Sequence, residues 1–216
     1  MRARLVQLRL GLWPTSEEYV TERGWESARL ECCPVHGAGA GCGFARHGAY
    51  PRRTPPGTWI ARYYCPKAHI TFSLLPDCLA SRLPSTLAEV EAVVRGVEEA
   101  PTWEVAADRL RSDIELPGAL RWLRRRVAAT HASLSALIGL DPETFAGCMP
   151  TLASFAEVLK YPGPCWFMLV MLRGSASSFL SSLPPMLGFG PRTSPRWSPA
   201  EPGQQQKGPD PPSKPR

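Results

Sequence analysis

From Cys32 to Pro76 the chain carries no aspartate or glutamate. Lysine is scarce everywhere, at Lys67, Lys160, Lys207 and Lys214, so arginine supplies most of the net charge of +6. Long apolar runs are missing as well. The longest, Cys165 to Leu172, spans eight residues, whereas a membrane-spanning helix needs about 20; the run reads as buried core and no membrane partner is expected. Met1 to Trp13 holds no continuous apolar stretch followed by a small-residue cleavage site, so no signal peptide is expected there. The chain also lacks a Walker loop, a His-Glu-x-x-His motif and a Ser-His-Asp arrangement in a plausible context. After the third predicted helix the acidic residues are Asp141, Glu143, Glu157, Glu201 and Asp210. That is a thin supply for a nuclease site, which holds metal ions with several carboxylates on a large domain. The protein is therefore expected not to be an enzyme, and no internal repeat is visible.

What is present is basic and cysteine-bearing. A pI near 9.1 favours polyanionic partners, because arginine and lysine gain affinity by releasing counterions from phosphates. Seven cysteines, an odd number without a secretion signal, point to reduced thiols and a cytoplasmic, nucleoid-associated location. The preference for arginine over lysine, with abundant alanine and proline, fits a G+C-rich bacterial genome.

The texture along the chain predicts an α+β protein, mainly α. Residues 1–31 read as a lead-in, with Leu5, Leu8, Leu10 and Leu12 alternating as a strand before the polar stretch Ser16–Arg23. Residues 32–76 are rich in glycine, proline and aromatics without helical periodicity, as expected of a small β unit whose folding depends on a metal. Residues 84–138 then predict three helices. Thr86 and Glu89 form a capping box ahead of Leu87, Val90, Val93, Val94 and Val97 at helical spacing. Thr102 caps a second helix with Val105, Ala106 and Leu110 on one face. Pro117 opens a third, with Leu120, Leu123, Val127, Leu134 and Leu137 as its apolar stripe to about Ile138. Residues 139–185 predict further helix around Thr151–Lys160 and Trp166–Leu183. Residues 186–216 read as a Pro-rich tail with too little apolar surface to offset ordering entropy.

The segment 32–76 opens with Cys33-Pro34-Val35-His36 and closes with Cys65-Pro66-Lys67-Ala68-His69. Structural zinc takes four cysteine or histidine ligands supplied as two close pairs on tight turns, so Cys33, His36, Cys65 and His69 are the expected ligands. Cys42 is an alternative to His36, and Cys32 a weaker one to Cys33. Between the knuckles lie Arg46, His47, Arg52, Arg53 and Arg62, with His47 suited to a backbone or phosphate contact. In the third helix Arg121, Arg124, Arg125 and Arg126 cluster with no acidic residue between Pro117 and Ile138. Arginine clamps phosphates bidentately and reads guanine edges, so these nine residues are the candidate DNA contacts. Trp122, beside them, is expected in the core or stacked on a sugar or base.

Phe44-Ala45-Arg46-His47-Gly48, Arg62-Tyr63-Tyr64-Cys65 and Thr71-Phe72-Ser73-Leu74-Leu75-Pro76 together resemble the N-terminal zinc ribbon of bacterial insertion-sequence transposases, which precedes a helix-turn-helix. The resemblance covers roughly residues 30–138. The chain departs from the family pattern at His36, where a second cysteine is usual, and at Ala68-His69, where Cys-Gly is usual. What it implies is a zinc ribbon followed by a helix-turn-helix-like unit, binding double-stranded DNA without the catalytic domain. A homodimer or a transposase is the implied protein partner. The alternative is a protein-interaction module in which the metal site is only a staple.

Overall fold

The sheet is assembled from the first and the middle parts of the chain. The computed structural model describes residues 4–11, 13, 15–160 and 168–190, and among these the strands are β1 (Arg4–Leu10), β2 (Ala45–Pro51), β3 (Trp59–Cys65) and β4 (Ile70–Pro76), in the order β1-β4-β3-β2. β1 runs parallel to β4, from Arg4 opposite Ile70 to Leu10 opposite Pro76, while β3 is antiparallel to it. A parallel pair needs a crossover rather than a hairpin; α1 (Ser16–Thr21), α2 (Gly24–Ser27), the cysteine loop and the β2–β3 hairpin supply it. Within the segment read as a lead-in, Arg4–Leu10 is thus an integral strand of the sheet. Strand periodicity places Val6, Leu8 and Leu10 on one face of β1, against the cluster that contains Phe72 and Leu74, and leaves Leu5 exposed on the other. Leu12 lies outside the described residues.

The β2–β3 pairing slips between Arg46 and Ala49, where Gly48 has φ +75°. A glycine takes this left-handed conformation without a Cβ clash, which is how a bulge fits an extra residue into a ladder.

Among the described residues seven helices join the four-stranded sheet in a mixed architecture of helix and strand. In α3 (Leu87–Glu98) the Thr86 hydroxyl accepts from the Glu89 amide at 3.0 Å and the Glu89 carboxylate accepts from the Thr86 amide at 2.8 Å. Leu87, Val90, Val93 and Val94 are buried. α4 (Trp103–Arg111) starts with the Thr102 hydroxyl accepting from the Val105 amide, and it buries Ala106 and Ala107. α5 (Leu116–Leu140) packs against both, burying Leu123, Val127, Leu134 and Leu137. α6 (Leu152–Val158) and α7 (Met168–Ser175) complete the largest core cluster. α7 stops well before the expected Leu183, at Ser175, whose hydroxyl donates to the Leu172 carbonyl at 3.1 Å, a local bond of the kind that competes with helix.

Two arginines tie the sheet to the helices. Arg173 is fully buried, and its guanidinium donates to the carbonyls of Pro76, Asp77, Leu79, Met186 and Leu187 at 2.5–3.4 Å. Burial lowers its pKa to about 10. Met186 and Leu187 are fully buried beside it, so the stretch expected to begin a tail at 186 is core as far as Gly190; residues 191–216 lie outside the described residues. Arg52 likewise donates to the carbonyls of Thr54, Ala80, Leu83 and Ser85. The segment between β4 and α3 is held by arginines from both sides.

Candidate metal centre and basic surface

Cys33 begins a tight turn in which the Gly37 amide donates to its carbonyl at 2.8 Å. Cys65 ends β3 and is fully buried. Between them the loop passes through Gly37, Gly39, Gly41 and Gly43, all at positive φ, and carries Cys42 inward to 7% exposure. Gly43 is also required sterically, since a Cβ there would lie 2.8 Å from the Pro66 ring. The result is a four-donor cluster: one ligand atom each from Cys33, His36, Cys42 and Cys65, all within 4.8 Å of one another. His36 Nδ1 stands 3.4 Å from Cys33 Sγ and 3.5 Å from Cys65 Sγ. Three thiols and an imidazole on tight turns, with the thiols shielded from solvent, are compatible with a metal ion.

Cys42, not His69, is the fourth member. His69 takes a left-handed conformation, φ 53°, at the turn that feeds β4, and its amide donates to the Pro66 carbonyl at 3.3 Å. This carries its exposed ring to Tyr64, with Nδ1 3.3 Å from the phenol oxygen. Cys32 is exposed and outside the cluster. Cys42, read in the sequence as an alternative to His36, instead joins it, because the alternating glycines let the loop fold back. The Cys33 thiol is pulled down to about 6: burial opposes the thiolate, but the amides of Val35 and His36 and the His36 and Cys65 side chains outweigh it. Burial, the largest effect, pushes the Cys65 thiol up, as does its closeness to Cys33 and Cys42.

The nine basic candidates fall into two groups. Arg53, Arg121, Arg124, Arg125 and His47 are exposed, His47 with its ring 5.8 Å from that of Tyr64. The others, of which Arg46 is also exposed, are engaged within the fold. Arg46 donates to the carbonyls of Trp25, Glu26 and Ala28, and Arg52 forms the clamp described above. Arg62 is half-buried, 5.7 Å from the Tyr50 ring centre. Arg126 is buried, its Nη2 donating to Ser85 Oγ at 2.9 Å. Burial, and then the charges of Arg111 and Arg125, lower its pKa to about 10. Trp122 is half-buried and packs against the core cluster of Ala106, Ala107, Ala119 and Leu123, while the guanidinium carbons of Arg126 and Arg111 lie 3.7 Å and 4.6 Å from its ring centre. Arg111, absent from the candidates read in the sequence, belongs to the same basic group.

Comparison with protein-family models, curated proteins and solved structures gives no significant match. The described helices include none long and apolar enough to cross a membrane.

Proposed function

We propose that this chain is a zinc-stabilised, non-enzymatic DNA-binding protein, a transposase-related accessory, regulator or remnant without a catalytic domain. In this reading residues 32–76 act as the zinc ribbon and α3–α5 as the helix-turn-helix-like unit. The observation that carries it is the exposure of Arg121, Arg124 and Arg125 on the last helix of that unit, in a stretch from Pro117 to Ile138 free of carboxylates. Exposed guanidiniums without acidic neighbours suit phosphate contacts, which fix register, and groove contacts, which carry sequence information. Zinc is the metal that this donor set fits, since three thiolates and one imidazole are a usual closed structural set. The nitrogen-to-sulfur separations of 3.4 and 3.5 Å approach the edge of about 3.6 Å expected of a tetrahedral zinc site. Four protein donors leave no place for substrate, so the ion's role is to hold the loop on β3.

Titration of the metal-loaded full chain with a random-sequence duplex over a range of salt tests the reading. Affinity that falls linearly on a log-log plot against salt is expected. Salt-independent or absent binding would favour the protein-interaction module.

A further inference from the structure

The geometry points to a phosphate-binding cleft between α4 and α5. A recess of about 460 Å³ is lined by Arg111, Arg121, Trp122, Arg125 and Arg126, with the Leu83–Pro84 turn completing its wall. Four arginines line it, and carboxylates answer them poorly. Asp113 pairs with Arg111 at 2.8 and 3.0 Å. Glu89 acts on Arg126 only from a distance, its carboxylate being engaged by the Thr86 amide. Arg121 and Arg125 form no ion pair among the described residues. An anion in the recess relieves this like-charge crowding, and planar guanidiniums bind phosphate oxygens bidentately.

Arg111 and Arg126 are held in place before any ligand arrives. Trp122 carries the guanidiniums of both Arg111 and Arg126 on its ring, and Ser85 fixes Arg126 from α3's N-terminal side. Little ordering of these groups is left to be done on binding, which favours affinity. Asp113 is the competitor. Its pair with Arg111 is solvent-exposed on the carboxylate side, and such pairs are weak, so a phosphate displaces it. The cleft shares Arg121 and Arg125 with the proposed duplex-binding face, so the inference deepens that reading, and its phosphate belongs either to a nucleic-acid backbone or to a free phosphorylated molecule.

The test uses the full chain, following the Trp122 indole N–H by NMR, assigned with Trp122→Phe, while sodium phosphate replaces chloride at constant ionic strength. A saturable shift is expected. Arg121→Gln with Arg125→Gln should weaken it about tenfold or more, since each loses a charge-assisted contact. Arg124→Gln, outside the cleft, should change it less than about twofold. Asp113→Asn should tighten binding about threefold. Should the double variant lose its fold, Arg121→Lys, which keeps the charge but not the fork, is expected to give an intermediate affinity. No saturable shift in the wild-type chain, or an unchanged affinity in folded Gln variants, overturns the cleft. A short duplex that moves the same resonance, competed by phosphate, identifies the backbone as the source. Phosphate binding without any duplex effect upholds the cleft for a free phosphorylated molecule and sinks the DNA-binding reading.

Discussion

Arg126 holds its guanidinium carbon 3.7 Å from the centre of the Trp122 ring while donating to Ser85 Oγ at 2.9 Å. A side chain that sequence patterning assigns to a DNA-facing patch is therefore a strut between α5 and the turn before α3. Arg126→Ala removes a cation–π contact and leaves the Ser85 hydroxyl without this donor. The expected loss is about 2–3 kcal/mol, read as a lower urea midpoint with an unchanged slope; a midpoint equal to wild type would show that the strut contributes nothing.

Ligand identity separates cleanly by substitution. Cys42→Ser should abolish stoichiometric zinc in the purified protein, as should Cys65→Ser, whereas His69→Ala should retain it, because His69 is turned to Tyr64. Metal analysis of the three variants decides the matter, and full zinc in Cys42→Ser would reinstate a two-cysteine, two-histidine set.

Duplex binding should respond to Arg124 and Arg125 but hardly to Arg46. Each lost phosphate contact lowers the log-log salt slope by roughly 0.9, so the double Gln variant should lose about 1.8. Arg46→Gln should leave the slope in place, since that guanidinium is occupied by three backbone carbonyls. Equal effects from both would mean that the surface acts only through net charge.

Arg173 is expected to be the most sensitive single position for stability. Arg173→Met strips donors from five buried carbonyls, a loss of about 3–5 kcal/mol. Arg173→Lys should recover little, because a single ammonium cannot span the positions of a guanidinium fork. Chemical denaturation of both variants provides the measurement.

Glu91 gives the folded state a pH signature. Its fully buried carboxyl lies above the ordinary range chiefly through burial, with the Leu169 amide and Arg95 acting in the opposite sense. A carboxyl with a raised folded-state pKa binds its proton more tightly folded than unfolded. Its contribution is thus fullest below the ordinary pKa of 4.5 and declines as pH rises through the folded value. Relative to Glu91→Gln, wild-type stability should fall with pH over that window; parallel curves for the two proteins would refute the assignment.

Local signals determined much of the helical half. The Thr86–Glu89 capping box, the Thr102 cap and Pro117 at the start of α5 depend on residues within one turn of each other, and all three helices begin where those residues stand. The alternation in Leu5–Leu10 likewise determined a strand, and the Cys33 and Cys65 knuckles pointed to a metal site. Tertiary structure alone decided the rest. That β1 pairs with β4, some 66 residues away from Arg4 to Ile70, is non-local and leaves no mark in periodicity. The fourth donor depended on where a glycine loop returns and which way His69 turns, both set by backbone conformation at positive φ. Which arginines face solvent was equally hidden, because a guanidinium reads as the same charge whether it is exposed, as in Arg124, or satisfied by buried carbonyls, as in Arg52 and Arg173. Only the folded chain brings those distant carbonyls to one point, and a buried cation is tolerated only where they converge.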